Sequence, residues 1–121
     1  MASLETEIGA HVMSFIEALE ARLPVDRVIV FGSYAAGTAG TDSDIDLAVV
    51  SPAFGRNPWN DRRLLYETII ASGADPRIEP HPFAPEDLEK PMRLIVKEIL
   101  SKGVTVYEHG TDLSAQSDLL R

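Results

Sequence analysis

The segment FGSYAAGTAGTDSDIDLAVV, residues 31–50, decides how the rest of the chain is read. Its first half is small and permissive, its second half carries carboxylates, and apolar residues close both ends. Just before it, VDRVIVF is short, branched and apolar, which predicts a buried strand ending at Gly32. SYAAGTA has the make-up of a brief helix and GTDS that of a polar turn. DIDLAVV then alternates, with Ile45, Leu47 and Val49 on one face of a strand and Asp44, Asp46 and Ala48 on the other.

Two features of this segment carry chemistry. Gly32 has no side chain to obstruct an approaching group. Where Ser33 opens a helix, its hydroxyl and the unpaired N–H groups of the first turn suit an anion, phosphate above all. Gly37 and Gly40 let the following turn double back. By itself, a Gly-Ser dipeptide is more often a plain strand-to-helix turn. Asp44 and Asp46, two apart on a strand, emerge on one face about 6.5–7 Å apart at Cα. Like charges so placed repel, and a divalent cation relieves the repulsion. Oxygen ligands of this kind suit magnesium or manganese. An isolated Asp-x-Asp is more often the solvated face of an edge strand.

A third carboxylate strengthens the metal reading, and Glu79 in RIEPHPF is the candidate, on a strand that can neighbour DIDLAVV. Pro80 and Pro82 donate no ladder hydrogen bonds, so this strand belongs at a sheet edge. His81, two residues on, shares the face of Glu79. A lone surface histidine is more often inert than a substrate contact.

Outward from this centre, Leu4, Ile8, Val12, Phe15, Ile16, Leu19 and Leu23 recur at helical spacing and predict an amphipathic helix over residues 3–22, stopped by Pro24. Asn57 and Pro58 predict the cap and first residue of a helix over 58–72, with Gly73 as its stop and Leu64, Leu65, Ile69 and Ile70 as its buried stripe. Trp59, at its start, is expected to pack over the sheet, with contact to a partner as the alternative. Leu88, Met92, Ile95, Val96, Ile99 and Leu100 predict a last long helix, with Pro91 near its start and Gly103 after its end. VTVY predicts a short final strand. This order gives an α/β (α+β) fold with a small mixed sheet flanked by helices.

The bulk numbers agree with one domain. The chain has 121 residues, 45% of them hydrophobic and 25% charged, enough to bury one core and too few for two. The division expected is a domain over 1–107 and a polar, flexible tail over 108–121. A net charge of −8, with no Lys/Arg cluster, disfavours direct nucleic-acid binding. The absence of cysteine removes disulfides, thiolate zinc sites and thiol nucleophiles. No apolar run is long enough to span a membrane and the N-terminus lacks signal-peptide character, so a cytoplasmic location is expected.

Spacing also excludes several rival chemistries. GSYAAGTAG lacks the Gly-Lys-Ser/Thr ending of a Walker loop, and no GxGxxG follows either strand. Asp42, Asp44 and Asp46 imitate the start of a calcium loop, but Leu47 stands where the turn glycine belongs and Ala53 where the bidentate glutamate belongs. Ser33 lies outside any GxSxG elbow, and His11, His81 and His109 are scattered.

A strand, Gly32-Ser33, ten residues, then Asp44-x-Asp46 on a second strand resembles the polymerase β-like nucleotidyltransferase superfamily. The chain is similar to its smallest members, the minimal nucleotidyltransferase (MNT) domain proteins. Gly32, Ser33, Gly37, Ser43, Asp44, Asp46 and the strand Leu47 to Val50 carry the likeness. By element order it extends from the first helix to about residue 107. It implies the nucleotidyltransferase fold, ATP as substrate, Gly32, Ser33, Gly37 and Ser43 as nucleotide-binding positions, and two Mg2+ ions (or Mn2+) on Asp44, Asp46 and Glu79. The usual third carboxylate of the family is an aspartate; the extra methylene of Glu79 moves its oxygens. The resemblance further implies a helical HEPN-domain toxin as partner, neutralised by transfer of AMP to a tyrosine in some pairs. The alternative is an MNT module that neutralises by binding alone. A third reading is transfer to a small molecule, for which a homodimer would build the pocket between two chains.

Overall fold

The computed structural model describes residues 6–40, 42–90 and 93–109. Leu4, Thr41 of the GTDS turn, Pro91, Met92 and the tail from Gly110 lie outside the described residues.

Helix α1 (Thr6–Glu20) is followed by strand β1 (Arg27–Phe31), the short helix α2 (Ser33–Ala36), β2 (Ile45–Val50), α3 (Pro58–Ser72) and β3 (Ile78–Phe83). A 3-10 turn over Pro85–Glu89, helix α4 (Leu94–Lys102) and β4 (Val104–Glu108) complete the order. The four strands form one mixed sheet in the order β3-β2-β1-β4. β1 runs antiparallel to both β2 and β4, while β2 and β3 are parallel and joined through α3.

Both sheet faces are covered, and strand alternation assigns them. Val28, Val30, Ile45, Leu47, Val49 and Ile78 pack into one core with Ile8, Val12, Phe15, Ile16 and Leu19 of α1 and Leu65 and Ile69 of α3. Ile29, Phe31, Ala48, Val50 and Phe83 point the other way, against Val96 and Ile99 of α4. Burying each such aliphatic or aromatic side chain is worth about 1.5–3 kcal/mol. Asp44 and Asp46 share the parity of Ala48, so the face that carries them is the α4 face.

β3 is an edge strand, as its prolines require. Ile45 N–H donates to the Arg77 carbonyl and Ser51 N–H to the Phe83 carbonyl. Odd-numbered residues of β3 therefore turn their backbone toward β2, and Pro80 and Pro82 turn theirs outward, where no donor is needed.

Three expectations are corrected. The last long helix is two elements: Leu88 sits in the 3-10 turn, and α4 begins only at Leu94. Proline at 91 disfavours helical geometry in the residue before it, and Lys90 is extended away from it at φ −109°, ψ 80°. On α3 the cap holds, with Asn57 Oδ1 accepting from Asn60 N–H at 3.1 Å, but the buried stripe is shifted. Leu65, Thr68 and Ile69 are buried, Leu64 is partly buried, and Ile70 is 81% exposed. Thr68 is accommodated there because its hydroxyl donates to the Leu64 carbonyl at 2.7 Å. Trp59 does not pack into the protein either; it is 78% exposed.

Candidate active site

The site lies where β1 ends and β2 and β3 begin, on the α4 face. Phe31 is the register partner of Asp46 across β1–β2, and Asp46 that of Glu79 across β2–β3. Asp46, Glu79 and His81 thus leave the same face of adjacent strands, and one ligand atom from each lies within 4.8 Å of the others. His81 Nε2 stands 3.3 Å from Asp46 Oδ1 and 3.7 Å from Glu79 Oε1. Its ring packs against Phe31, with centroids 5.2 Å apart and planes at 57°.

Asp44 precedes β2 and is exposed. It lies near enough to help raise the Glu79 pKa, but it is not one of the three ligand atoms that converge within 4.8 Å. Burial pushes the Glu79 carboxyl above its ordinary value; His81 pulls it part of the way back, while Asp46 and Asp44 push it further up. Three carboxylates so crowded are an electrostatic cost that a cation removes.

Gly32 connects this cluster to the turn. Its φ of 74° and ψ of −149° lie in a region that essentially only glycine adopts. A Cβ there would come within 2.5 Å of Asp46 Oδ2. The Asp46 carboxylate therefore rests directly on the backbone that leads into α2. Ser33 begins α2, and its carbonyl accepts from Thr38 N–H at 2.9 Å. Among the described residues its hydroxyl has no hydrogen-bond partner. Gly37 ends α2 in the left-handed region at φ 76°. Ser43 Oγ accepts from Gly40 N–H at 2.8 Å and Ser43 N–H donates to the Gly40 carbonyl at 3.2 Å, so this serine shapes the turn before Asp44.

A nucleotidyltransferase-domain family model matches residues 12–106, which is most of the chain and includes the whole cluster. The chain belongs to the nucleotidyltransferase domain family. No curated protein sequence matches it. Several solved structures share the fold of this nucleotidyltransferase. One is a toxin–antitoxin with AMP-PNP, at 22% identity and TM-score 0.58 over 89% of this chain and 77% of that one. Another is the toxin–antitoxin MntA-HepT, at 18% identity and TM-score 0.54 over 92% and 77%. A third is a tri-AMPylated Shewanella oneidensis HEPN toxin in complex with MNT antitoxin, at 17% identity and TM-score 0.54 over 93% and 78%.

Within this nucleotidyltransferase domain the structure brings together Gly32, Asp44, Asp46 and Glu79, all singled out by sequence, and adds His81 to them. Gly37 instead caps the end of α2, and Ser43 shapes the turn that leads into Asp44. The signal for His81 was present in the alternation of β3, where Glu79 and His81 are two apart. What a single sequence lacked was the register that sets Ala48 opposite His81 and brings the ring beside Asp46.

Proposed function

We propose that this chain transfers a nucleotide, AMP from ATP, to a hydroxyl of a partner protein, and that the partner is a HEPN-type toxin. The observation that carries the reading is the carboxylate cluster of Asp44, Asp46 and Glu79 resting against the Gly32-Ser33 turn. Membership of the nucleotidyltransferase domain family and the shared fold of the toxin–antitoxin structures support it.

In this proposal the backbone N–H groups at Gly32 and Ser33 and the Ser33 hydroxyl hold the β- and γ-phosphates, and Gly37 and Ser43 set the loop around the nucleotide. The donor set fits divalent cations: Asp44, Asp46 and Glu79 are hard oxygen ligands already crowded on one face. Bound Mg2+ or Mn2+ would supply charge neutralisation of the triphosphate and stabilisation of the attacking and leaving oxygens. The partner's hydroxyl oxygen attacks the α-phosphorus, the α–β bridging P–O bond breaks, and pyrophosphate leaves. The hydroxyl proton passes to Glu79, the carboxylate that completes the site.

The test is incubation with ATP, Mg2+ and the product of the neighbouring gene, read by intact mass. A gain of about 329 Da per transferred AMP on the partner is the expected result. Loss of that gain in Asp44→Asn and Asp46→Asn supports the roles, and unchanged transfer in both rejects them. If the double variant still neutralises the partner in cells, binding alone suffices and transfer is not the mechanism of protection.

A further inference from the structure

We infer that His81 is a nitrogen ligand in the metal site, and that it makes the Asp46–Glu79–His81 trio select a first-row transition-metal ion over Mg2+. This deepens the nucleotidyl-transfer reading and rests on it for the site's location.

The argument begins with the donor atoms. Ligands held about 2.1 Å from one ion stand about 3.0 Å apart along the edges of an octahedron and about 3.4 Å apart in a tetrahedron. His81 Nε2 is 3.3 Å from Asp46 Oδ1 and 3.7 Å from Glu79 Oε1, close to those spacings. The ring is presented with Nε2 toward both oxygens, and its tilted packing on Phe31 holds that orientation. Strand geometry does the rest. Glu79 and His81 are alternate residues of one strand, and Asp46 stands opposite Glu79 on the next, so backbone pairing alone converges the three side chains.

Chemistry then separates the ions. Mg2+ is hard, dehydrates reluctantly and takes oxygen ligands, so an imidazole adds little to its binding. Transition ions accept imidazole readily, and their affinity for mixed nitrogen and oxygen sites rises along the first row from Mn2+. A site of carboxylates alone would show weaker discrimination. His81 is therefore a specificity-determining residue.

The test uses Mn2+ as probe with the full chain. Its electron spin echo should show directly coordinated imidazole 14N in wild type and lose that signal in His81→Gln. Wild type should bind Mn2+ at least about tenfold tighter than Mg2+ in competition titrations, and His81→Gln should weaken Mn2+ about tenfold or more while changing Mg2+ by less than about twofold. Mn2+ bound without 14N coupling in wild type overturns the inference and leaves the carboxylate reading standing, with His81 only a hydrogen-bond partner of Asp46. Failure of wild type to bind either ion overturns both. The wild-type 14N measurement decides the matter even where His81→Gln does not fold.

Discussion

Asp46 and Glu79 are register partners in the parallel β2–β3 ladder, so two carboxylates stand side by side on one face of the sheet. With Asp44 just before β2 adding its charge, the protein carries a concentrated negative site. A cation that relieves this repulsion binds the folded state and not the unfolded one. Mn2+ at a hundred times its Kd is expected to stabilise the wild type by about 2.7 kcal/mol. Asp46→Asn should lose most of that gain. Thermal unfolding with and without the ion checks it.

Gly32 and Gly37 both have positive φ, yet replacement should have different consequences. Gly32→Ala puts a Cβ 2.5 Å from Asp46 Oδ2, whereas a Cβ at Gly37 meets nothing within 4 Å. Each alanine should cost about 1–3 kcal/mol of backbone strain. Only Gly32→Ala should also displace the Asp46 carboxylate and weaken cation binding. Parallel denaturation and binding titrations of the two variants separate strain from site.

The exposure of Ile70 gives a direct check on α3. Leu65 is fully buried, so Leu65→Ala should destabilise by about 2–5 kcal/mol. Ile70→Ala should stay within about 0.5 kcal/mol, although the hydrophobic pattern places both in one stripe. Urea unfolding of the two proteins measures the contrast.

Asp75 supplies the pH dependence. The Arg77 guanidinium bonds both its oxygens, at 2.7 to 3.2 Å, and with the Arg77 N–H holds its pKa at about 2 instead of 3.8. The folded value lies below the unfolded one, so the stabilisation is complete above about pH 5 and fades as pH falls through 3.8 toward 2. Because the Arg77 side chain is 33% exposed, water weakens the pair, and about 1–2 kcal/mol at pH 7 is expected. Asp75→Asn should be less stable by that amount at neutral pH, with about half the difference left at pH 3. Chemical denaturation at the two pH values tests it.

Much of the fold was legible because its signals are local. The Asn57-Pro58 cap, the run from Val28 to Phe31 and the alternation from Asp44 to Val50 each depend on neighbours in the chain. Ile70 and Trp59 were misplaced because hydrophobicity shows that a residue can be buried, not that another element arrives to cover it. The division of the last helix was a local signal too, but the apolar period from Leu88 to Leu100 outweighed the proline at 91.

The sequence by itself determined the strand-turn-strand segment with its glycine, serine and paired aspartates, because side-chain alternation and turn chemistry act over a few residues. Tertiary structure alone decided that Glu79 stands beside Asp46 and that His81 turns its Nε2 to both. That meeting depends on the register between two strands separated by the whole of α3. A shift of one residue there would have sent Glu79 and His81 to the opposite face.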